Sequence, residues 1–247
     1  MSFLRSLLFS TPLIALATIF MGTVSLVSSA FDRSGCVPHR IARLWGRILL
    51  AVSFIRVRAE GLEKIDPRGC YVFVSNHTSF MDIPAILWLI PSQFRFFAKQ
   101  GLFSIPFLGT HLKRAGHIPV LRSSPRASLR SMTQGAELIA RTGMSVLLFP
   151  EGGRTAAGQG LREFREGAAY IAIKAGVPVV PVAIVGMKPL LPMGSVHIRS
   201  GRAVLRVGDP IPTAGMGPKD RGELNRRLYD ELARLTGEAP SRDAVLR

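Results

Sequence analysis

The chain has few cysteines and few acidic residues. Its 247 residues include two cysteines, Cys36 and Cys70, and their spacing fits neither a metal site nor a disulfide framework. We expect both to be ordinary thiols, which is consistent with a reducing compartment. Only 16 Asp and Glu residues stand against 32 Lys and Arg residues, so the net charge is +16. This excess indicates an anionic partner, which is nucleic acid, an anionic membrane surface or a phosphorylated substrate.

Further absences narrow the function. Aromatic residues make up 8% of the chain, the basic residues form no dense stripe interleaved with them, and no nucleic-acid-binding module is recognisable. We therefore predict a membrane surface rather than nucleic acid as the anionic partner. The chain contains no G-x-S-x-G nucleophile motif and no internal repeat or low-complexity linker. Its 47% of hydrophobic residues excludes a disordered protein.

A long apolar segment opens the chain. No residue between Leu7 and Phe31 is charged, and a run of about 20 apolar residues suffices to cross a bilayer. Arg5 precedes the segment and several basic residues follow it, so the positive-inside rule places the following domain in the cytoplasm. A secretory signal peptide with a cleavage site at Ser28-x-Ala30 is the alternative, but the run is longer than the usual core of about 7–15 residues. We predict a retained anchor.

His39–Phe54 is predicted to form a second, amphipathic helix. Apolar residues recur at helical spacing and include Trp45, while three arginines lie near the opposite side. Such a helix suits either the lipid headgroup layer or the surface of a protein core. With the first segment it can form a hairpin that dips into one leaflet rather than crossing the bilayer. Residues 1–54 are thus predicted to be membrane-anchoring helices, and residues 55–247 a separate domain.

From residue 55 onward, strand and helix patterns alternate. Strands are predicted at Ile55–Glu60, Cys70–Ser75, Phe94–Ala98, His117–Leu121, Ser145–Phe149 and Val179–Val185, and helices at Ile83–Ile90, Ser124–Arg141, Glu163–Ala175 and Lys219–Leu235. Val196–Ile198 and Ala203–Val207 are predicted to pair as a hairpin around Ser200 and Gly201. The alternation predicts an α/β fold with a mostly parallel central sheet flanked by helices. In such sheets, active sites lie beyond the carboxyl ends of the strands.

A histidine and an aspartate follow the second predicted strand, in the sequence N-H-T-S-F-M-D. The imidazole of His77 can take a proton from a hydroxyl group, and a carboxylate on its other nitrogen can fix the tautomer. Five residues apart on a helix, His77 and Asp82 would lie on different faces. If His77 precedes the first helical turn, its ring can fold back onto Asp82, while Asn76, Thr78 or Ser79 caps that turn. A capped helix with an incidental histidine is the alternative.

A glycine-rich sequence, F-P-E-G-G-R-T, follows the strand that ends near Phe149. Gly152 and Gly153 allow backbone amides to approach an anion closely. Arg154 can hold a phosphate with two hydrogen bonds. Glu151 is expected to orient this arginine or to bind a substrate hydroxyl, and an ordinary turn is the alternative.

Two more cations follow predicted strands. Lys99 and Arg122 each come directly after a strand, so we expect both to project to the same rim of the sheet as Arg154. Cations converging there would bind a phosphomonoester. If the three cations are instead scattered, they are ordinary surface residues.

The order and spacing of these motifs resemble the glycerolipid acyltransferase family, and PlsC-like lysophosphatidic acid acyltransferases in particular. The first block, N-H-x-x-x-x-D, is matched by Asn76, His77 and Asp82. The second is matched by Lys99, Pro106, Gly109, Ile118 and Arg122, and the fourth by Val177 to Val182. In the third block, F-P-E-G-T-R, all positions match except that Gly153 replaces the threonine. The resemblance spans roughly residues 43–209.

This resemblance implies a membrane-bound transfer of an acyl group to the free sn-2 hydroxyl of lysophosphatidic acid, giving phosphatidic acid. His77 would be the general base and Asp82 would orient it. Lys99, Arg122, Glu151, Gly152, Gly153 and Arg154 would bind the substrate. The donor would be acyl-CoA or acyl carrier protein, with no further cofactor and no metal. The expected location is the cytoplasmic face of the inner membrane.

Three other functions are compatible with the sequence. Because Gly153 removes a hydroxyl from the third block, the acceptor can be another lysolipid, such as a lyso-ornithine lipid or a lysophospholipid undergoing remodelling. A metal hydrolase would use His77, Asp82, His111 and His117 as ligands, although their spacing fits no common zinc motif. A non-enzymatic protein that binds anionic lipids would explain the charge and the anchor, but would leave His77 and Asp82 without a role.

Overall fold

The computed structural model describes residues 2–32, 34–121, 124–155 and 160–238. Its helices are α1 (Ser2–Phe31), α2 (Cys36–Val52), α3 (Asp82–Leu89), α4 (Leu108–Arg114), α5 (Pro125–Thr142), α6 (Gly167–Ala175) and α7 (Arg221–Thr236). Its strands are β1 (Ile55–Glu60), β2 (Val72–Ser75), β3 (Phe94–Lys99), β4 (Ile118–Val120), β5 (Ser145–Leu148), β6 (Val179–Val185) and β7 (Gly201–Val207). Short 3₁₀ turns lie at Leu62–Lys64, Gln100–Ser104 and Pro218–Asp220.

One seven-stranded sheet organises the fold, in the order β1-β7-β6-β2-β5-β3-β4. Within the described residues, five of its six neighbouring pairs are parallel, and β6 and β7 form the antiparallel one. The predicted α/β fold with a mostly parallel sheet is therefore confirmed. Because β1 and β7 run opposite to the other five strands, their first residues lie at the same edge as the carboxyl ends of those five.

The central strands are apolar on both sides because both faces of the sheet are covered. Every residue of β2 and β5 is buried, as expected for parallel strands between helical layers. Alternate residues separate into two cores. Phe73 and Leu147 pack with α2 and α3, whereas Val74 and Leu148 pack with α5, α6 and α7. This burial explains why the strands appear in the sequence as continuous apolar runs.

The predicted hairpin at residues 196–207 is wrong. The strand Gly201–Val207 exists, but its partners are β1, in parallel, and β6, antiparallel. The backbone of residues 196–198 bonds to α1 instead: Ser6 donates its hydroxyl to the carbonyl of Val196 and accepts the N–H of Ile198 at 2.8 Å. A bond between residues this far apart in the sequence cannot be inferred from local periodicity.

The first two helices form an antiparallel pair that packs on the α3 side of the sheet. The indole N–H of Trp45 donates to the hydroxyl of Thr18 at 3.1 Å. Gly46 lies so close to α3 that an added Cβ would collide with the carbonyl of Pro84. Ile14 and Leu50 contribute to the same core as α3. The proposed division between residues 54 and 55 stays a prediction.

Candidate active site

Asn76, directly after β2, fixes the position of the loop that carries His77. Its amide group donates to the carbonyl of Ile184 at 2.9 Å and accepts the N–H of Ile184 at 2.7 Å. The side chain is buried, so removing it would leave two backbone groups of β6 without partners. Asn76 therefore joins the ends of β2 and β6 and does not cap α3.

His77 and Asp82 are in direct contact. Nδ1 of His77 lies 2.9 Å from Oδ2 of Asp82, whose side chain is 0% exposed. The same Oδ2 accepts two backbone N–H groups and is therefore an acceptor, so Nδ1 carries the proton and Nε2 has a free lone pair. The described residues offer Nε2 no hydrogen bond. The ring therefore presents a basic nitrogen that is free to accept a proton.

The start of α3 explains how a spacing of five brings the two side chains together. Asp82 is the first residue of the helix, and its Oδ2 also accepts the backbone N–H groups of Thr78 and Ser79, each at 2.7 Å. These bonds fold the Thr78–Met81 turn around the carboxylate, so His77 precedes the helix as the sequence indicated. Ser79 does not cap α3 through its own hydroxyl. That hydroxyl donates to the carbonyl of Leu191 and accepts the N–H of Met81.

Glu151 connects the loop after β5 to the loop after β2. Its Oε1 accepts the backbone N–H of His77 at 2.9 Å, and its Oε2 accepts the hydroxyl of Thr155 and the N–H of Arg162. Burial raises the pKa of this carboxyl, and the bonds from Thr155 and His77 oppose the shift. The expected orientation of Arg154 by Glu151 is not what the structure shows. The described residues contain no bond between them, because both carboxylate oxygens are used within the loops.

The two glycines of the loop differ in what their positions require. Gly152 has φ +73°, the left-handed region that favours glycine, and an added Cβ would lie 3.2 Å from Nε of Arg165. At Gly153 the nearest neighbour of an added Cβ would be Nη1 of Arg162 at 3.8 Å, which is ordinary contact. The backbone conformation therefore favours glycine at 152, whereas the space at 153 accommodates an added Cβ.

Arg154 lies against the other loop. Its Cζ is 3.5 Å from the centroid of the Phe80 ring, and its Nη1 is buried without a hydrogen-bond partner within the described residues. The N–H of Thr155, the next residue, donates to the carbonyl of His77 at 2.8 Å. Arg154 and His77 thus belong to one site, and the guanidinium has an unused donor directed into a buried region.

Of the two remaining predicted cations, the structure describes only Lys99. Lys99 is exposed at the carboxyl end of β3, two strands from β2. Neighbouring strands are about 4.8 Å apart, so the backbone of Lys99 is roughly 10 Å from that of the β2 end. Arg122 lies outside the described residues. The catalytic and substrate-binding roles of the predicted residues stay predictions.

The described structure does not bring His111 and His117 together with His77 as a set of metal ligands. Nδ1 of His117 accepts the N–H of Phe96 at 3.0 Å. Burial, together with the nearby Arg95, lowers the pKa of His117 to about 3. The described residues contain no group of three His, Cys, Asp or Glu side chains placed to hold a metal ion.

Sequence reasoning assigned no role to two residues that shape the site. Phe149 stacks on the His77 ring with centroids 4.0 Å apart and planes inclined by 16°. Thr155 bonds to Glu151 through its hydroxyl and to His77 through its N–H. They are the first and last residues of the glycine-rich sequence F-P-E-G-G-R-T. No local feature of that sequence indicates that they contact the loop after β2.

Comparisons with known proteins agree on one family. Residues 56–185 match the family model described as Acyltransferase. The chain is 39% identical over 158 residues to the chloroplastic 1-acyl-sn-glycerol-3-phosphate acyltransferase LPAT1 of Arabidopsis thaliana, which covers 64% of this chain and 43% of that protein. It is 31% identical over 217 residues to the 1-acyl-sn-glycerol-3-phosphate acyltransferase alpha of Bos taurus, covering 87% of this chain and 74% of that one.

A solved structure is similar over nearly the whole chain. The crystal structure of the 1-acyl-sn-glycerophosphate (LPA) acyltransferase PlsC from Thermotoga maritima superposes with a TM-score of 0.79 at 26% identity, covering 95% of each chain. By contrast, this chain spans less than half the length of the chloroplastic relatives from Arabidopsis thaliana and Brassica napus that it matches, 43% and 45%.

Proposed function

The chain belongs to the acyltransferase family, and on that basis we propose that it acylates the sn-2 hydroxyl of lysophosphatidic acid to give phosphatidic acid. The observation that carries the proposal is the 2.9 Å contact between Nδ1 of His77 and the buried Asp82, next to the unpaired donor of Arg154. The relatives named above act, by their names, on 1-acyl-sn-glycerol-3-phosphate. Acyl-CoA or acyl carrier protein supplies the acyl group, and no further cofactor is required.

The reaction follows from the position of the free imidazole nitrogen. Nε2 of His77 takes the proton of the acceptor hydroxyl while that oxygen attacks the thioester carbonyl carbon. The tetrahedral intermediate collapses as the carbon–sulfur bond breaks, and the imidazolium returns the proton to the sulfur, so that the free thiol leaves and the imidazole is neutral again. Asp82 stabilises the imidazolium between these steps. No enzyme nucleophile and no acyl-enzyme intermediate are needed.

Several backbone N–H groups near His77 are already hydrogen-bonded and are therefore not available to stabilise the oxyanion. The N–H groups of Thr78 and Ser79 are bound to Asp82, and that of Gly152 is bound to the carbonyl of Phe149. The N–H groups of Phe80, Gly153 and Arg154 form no hydrogen bond with the described residues. We assign the oxyanion to this remaining set.

The test of the proposed function is an assay of the purified full chain with lysophosphatidic acid and an acyl thioester. Thiol release that depends on the acceptor, with phosphatidic acid as product, is the expected result. Thiol release at the same rate without an acceptor would indicate a thioesterase. No release with either donor, from a folded protein, would remove the acyltransferase proposal.

Substitution of Arg154 by Ala is expected to raise the KM for lysophosphatidic acid by about 10- to 100-fold, because a hydrogen bond to a charged group contributes about 1.5–3 kcal/mol. The KM for the acyl donor should change little. Arg141→Ala serves as the matched control, since this exposed arginine lies in the last turn of α5, at the opposite edge of the sheet. An unchanged acceptor KM in Arg154→Ala would remove Arg154 from the phosphate site.

The space at Gly153 supports a second candidate, transfer to a different lysolipid. An added Cβ would lie 3.8 Å from its nearest neighbour, Nη1 of Arg162, so the glycine leaves open space there that a larger headgroup can use. A panel of lysophosphatidic acid, lysophospholipids and lyso-ornithine lipid, assayed with the wild-type chain and Gly153→Thr, distinguishes the candidates. Preference for a larger acceptor that Gly153→Thr reverses would favour the second.

We further propose that the protein is attached to the cytoplasmic face of the inner membrane by α1 without crossing the bilayer. By length and apolar composition, Ser2–Phe31 qualifies as a membrane-spanning helix, and its outward residues include Leu8, Phe20 and Phe31, all more than 60% exposed. Yet contacts with the rest of the chain extend from Arg5, bonded to Ile198, to Gly22, against Phe107. A helix held to the domain along this length favours attachment to one leaflet over a membrane span. Protease access to an N-terminal tag from only the cytoplasmic side of sealed vesicles is the expected result.

A further inference from the structure

The turn between β2 and α3 exposes one large apolar side chain. Thr78, Ser79 and Met81 in this turn are at most 4% exposed, whereas Phe80 is 54% exposed. The carboxylate of Asp82 accepts two N–H groups of the turn and fixes its backbone, so the Phe80 ring is held outside the core. A ring in this position adds little to the packing of the core, and its partner lies on the neighbouring loop.

That partner is Arg154. Its Cζ lies 3.5 Å from the centroid of the Phe80 ring, and a carbon this close must lie over the ring face, because in the ring plane it would overlap the ring's own edge. The negative face of the ring attracts the guanidinium charge but offers no acceptor atom. The contact therefore fixes the position of the charge without using an N–H donor, and Nη1 is buried without a hydrogen-bond partner within the described residues.

A second aromatic contact joins the same two loops in the opposite direction. Phe149, at the start of the glycine-rich loop, stacks on the His77 ring with centroids 4.0 Å apart. Each loop thus supplies one functional group and also the ring that packs on the functional group of the other loop. The N–H of Thr155 adds a backbone bond to the carbonyl of His77 at 2.8 Å. These three contacts hold the imidazole and the guanidinium at a fixed separation.

A base and a cation at a fixed separation select an acceptor in which a hydroxyl and a phosphate are also a fixed distance apart. In lysophosphatidic acid the two groups are on adjacent carbons of the glycerol. An arginine that is free to rotate loses side-chain entropy when it binds a phosphate. A guanidinium already held against a ring avoids much of that loss, so the acceptor binds more tightly.

We propose that Phe80 is a positioning residue for the acceptor, and that its ring holds the guanidinium of Arg154 where it binds the acceptor phosphate. This inference rests on the proposed function, because it places the phosphate at Arg154. The side chain of Phe80 acts on acceptor binding and not on proton transfer. Its replacement therefore changes the Kd and the KM of the acceptor, whereas kcat and the KM of the acyl donor stay the same.

The test is the binding of hexanoyl lysophosphatidic acid to the full chain without an acyl donor, measured by titration calorimetry, followed by steady-state kinetics with an acyl thioester. Phe80→Leu, which keeps an apolar side chain, should raise the Kd and the KM of the acceptor about 3- to 30-fold, the range of a cation–π contact near a protein surface. We expect kcat and the donor KM to stay within about twofold. Phe80→Tyr retains the ring and should bind the acceptor within about twofold of the wild type.

Phe54→Leu is the matched control. Phe54 is also an exposed phenylalanine with an arginine over its ring, since Cζ of Arg5 lies 4.8 Å from the ring centroid. It directly precedes β1, which is three positions from β2 in the sheet, so the two strands are roughly 14 Å apart. Its replacement should leave the acceptor Kd within about twofold. An effect as large as that of Phe80→Leu would show that the loss is not specific to the site, and would overturn the proposal.

A double-mutant cycle shows whether Phe80 acts through Arg154. In the Arg154→Ala background, Phe80→Leu should change the Kd by less than about twofold, because the guanidinium that the ring holds is absent. Full additivity of the two substitutions would contradict the proposal, and so would equal losses in Phe80→Leu and Phe80→Tyr.

The two stages of the experiment separate this inference from the proposed function. The expected pattern of Kd values without acyl transfer would support the positioning role of Phe80 and remove the proposed function. Acyl transfer together with a Kd that Phe80→Leu does not change would remove the inference alone. A wild-type chain that does not bind the acceptor would overturn the inference whatever the assay of transfer shows.

Discussion

Replacing His77 by Ala is expected to lower kcat for acyl transfer by about 10²- to 10⁴-fold, the usual contribution of general-base catalysis. The imidazole supplies the free lone pair beside Asp82, and the described part of the site holds no second histidine to replace it. Its side chain is 14% exposed and packs on Phe149. The backbone N–H and carbonyl of residue 77, which bond to Glu151 and Thr155, are unaffected by the substitution. We therefore expect the variant to fold and to bind membranes.

His111→Ala is the matched control for this substitution. His111 is a partly buried histidine of α4 whose side chain forms no hydrogen bond with the described residues, so its removal should leave kcat within about twofold. The same variant tests the metal-hydrolase alternative, in which His111 is a ligand. Wild-type transfer by purified His77→Ala would overturn the mechanism. A loss of activity in His111→Ala as large as in His77→Ala would instead favour a metal centre.

The sequence predicted the sheet well because its strands are buried on both faces. The bounds predicted for β1 and β6 agree with the structure residue by residue. The ends predicted for α5 also lie within one residue of those in the structure. Ser124 caps the start of this helix, and Gly143 ends it in the left-handed conformation. Burial of continuous apolar runs and capping are local properties, and they are encoded in short stretches of sequence.

What the sequence could not predict depends on contacts between distant residues. The segment 196–198 has the composition of a strand. Its backbone, however, bonds to Ser6 of α1, which lies almost 200 residues earlier in the chain. Glu151 was expected to orient Arg154 or to bind a substrate hydroxyl, whereas in the structure its carboxylate accepts the backbone N–H groups of His77 and Arg162. The strand order places the loops after β2 and β5 next to each other, and periodicity contains no information on that order. The pairing of His77 with Asp82 was predictable because both lie in one turn.

Replacing Asp82 tests the charge behind the imidazole, and two substitutions separate charge from geometry. Oδ2 accepts three hydrogen bonds, whereas Oδ1 is buried without a partner in the described structure. In Asp82→Asn the amide oxygen must take the Oδ2 position, because an NH₂ group there would face the N–H groups of Thr78 and Ser79. The tautomer of His77 is then retained and only the negative charge is lost. Charge-assisted hydrogen bonds are about twice as strong as neutral ones, so we expect kcat to fall by about 10- to 100-fold.

Asp82→Ala removes both the charge and the acceptor, and its loss should be larger, about 10²- to 10³-fold in kcat. It also leaves the buried N–H groups of Thr78 and Ser79 unpaired, which costs about 1–3 kcal/mol of folding stability each. Steady-state kinetics with saturating acceptor measures whether kcat decreases from the wild type to Asp82→Asn and then to Asp82→Ala. Thermal unfolding of both variants measures their stability. Activity of Asp82→Asn equal to wild type would show that the carboxylate acts through geometry alone. Asp82→Asn and Asp82→Ala can also be equally inactive while Asp82→Asn retains wild-type stability. The charge then accounts for the whole effect on kcat, because the hydrogen bonds retained in Asp82→Asn contribute nothing to catalysis.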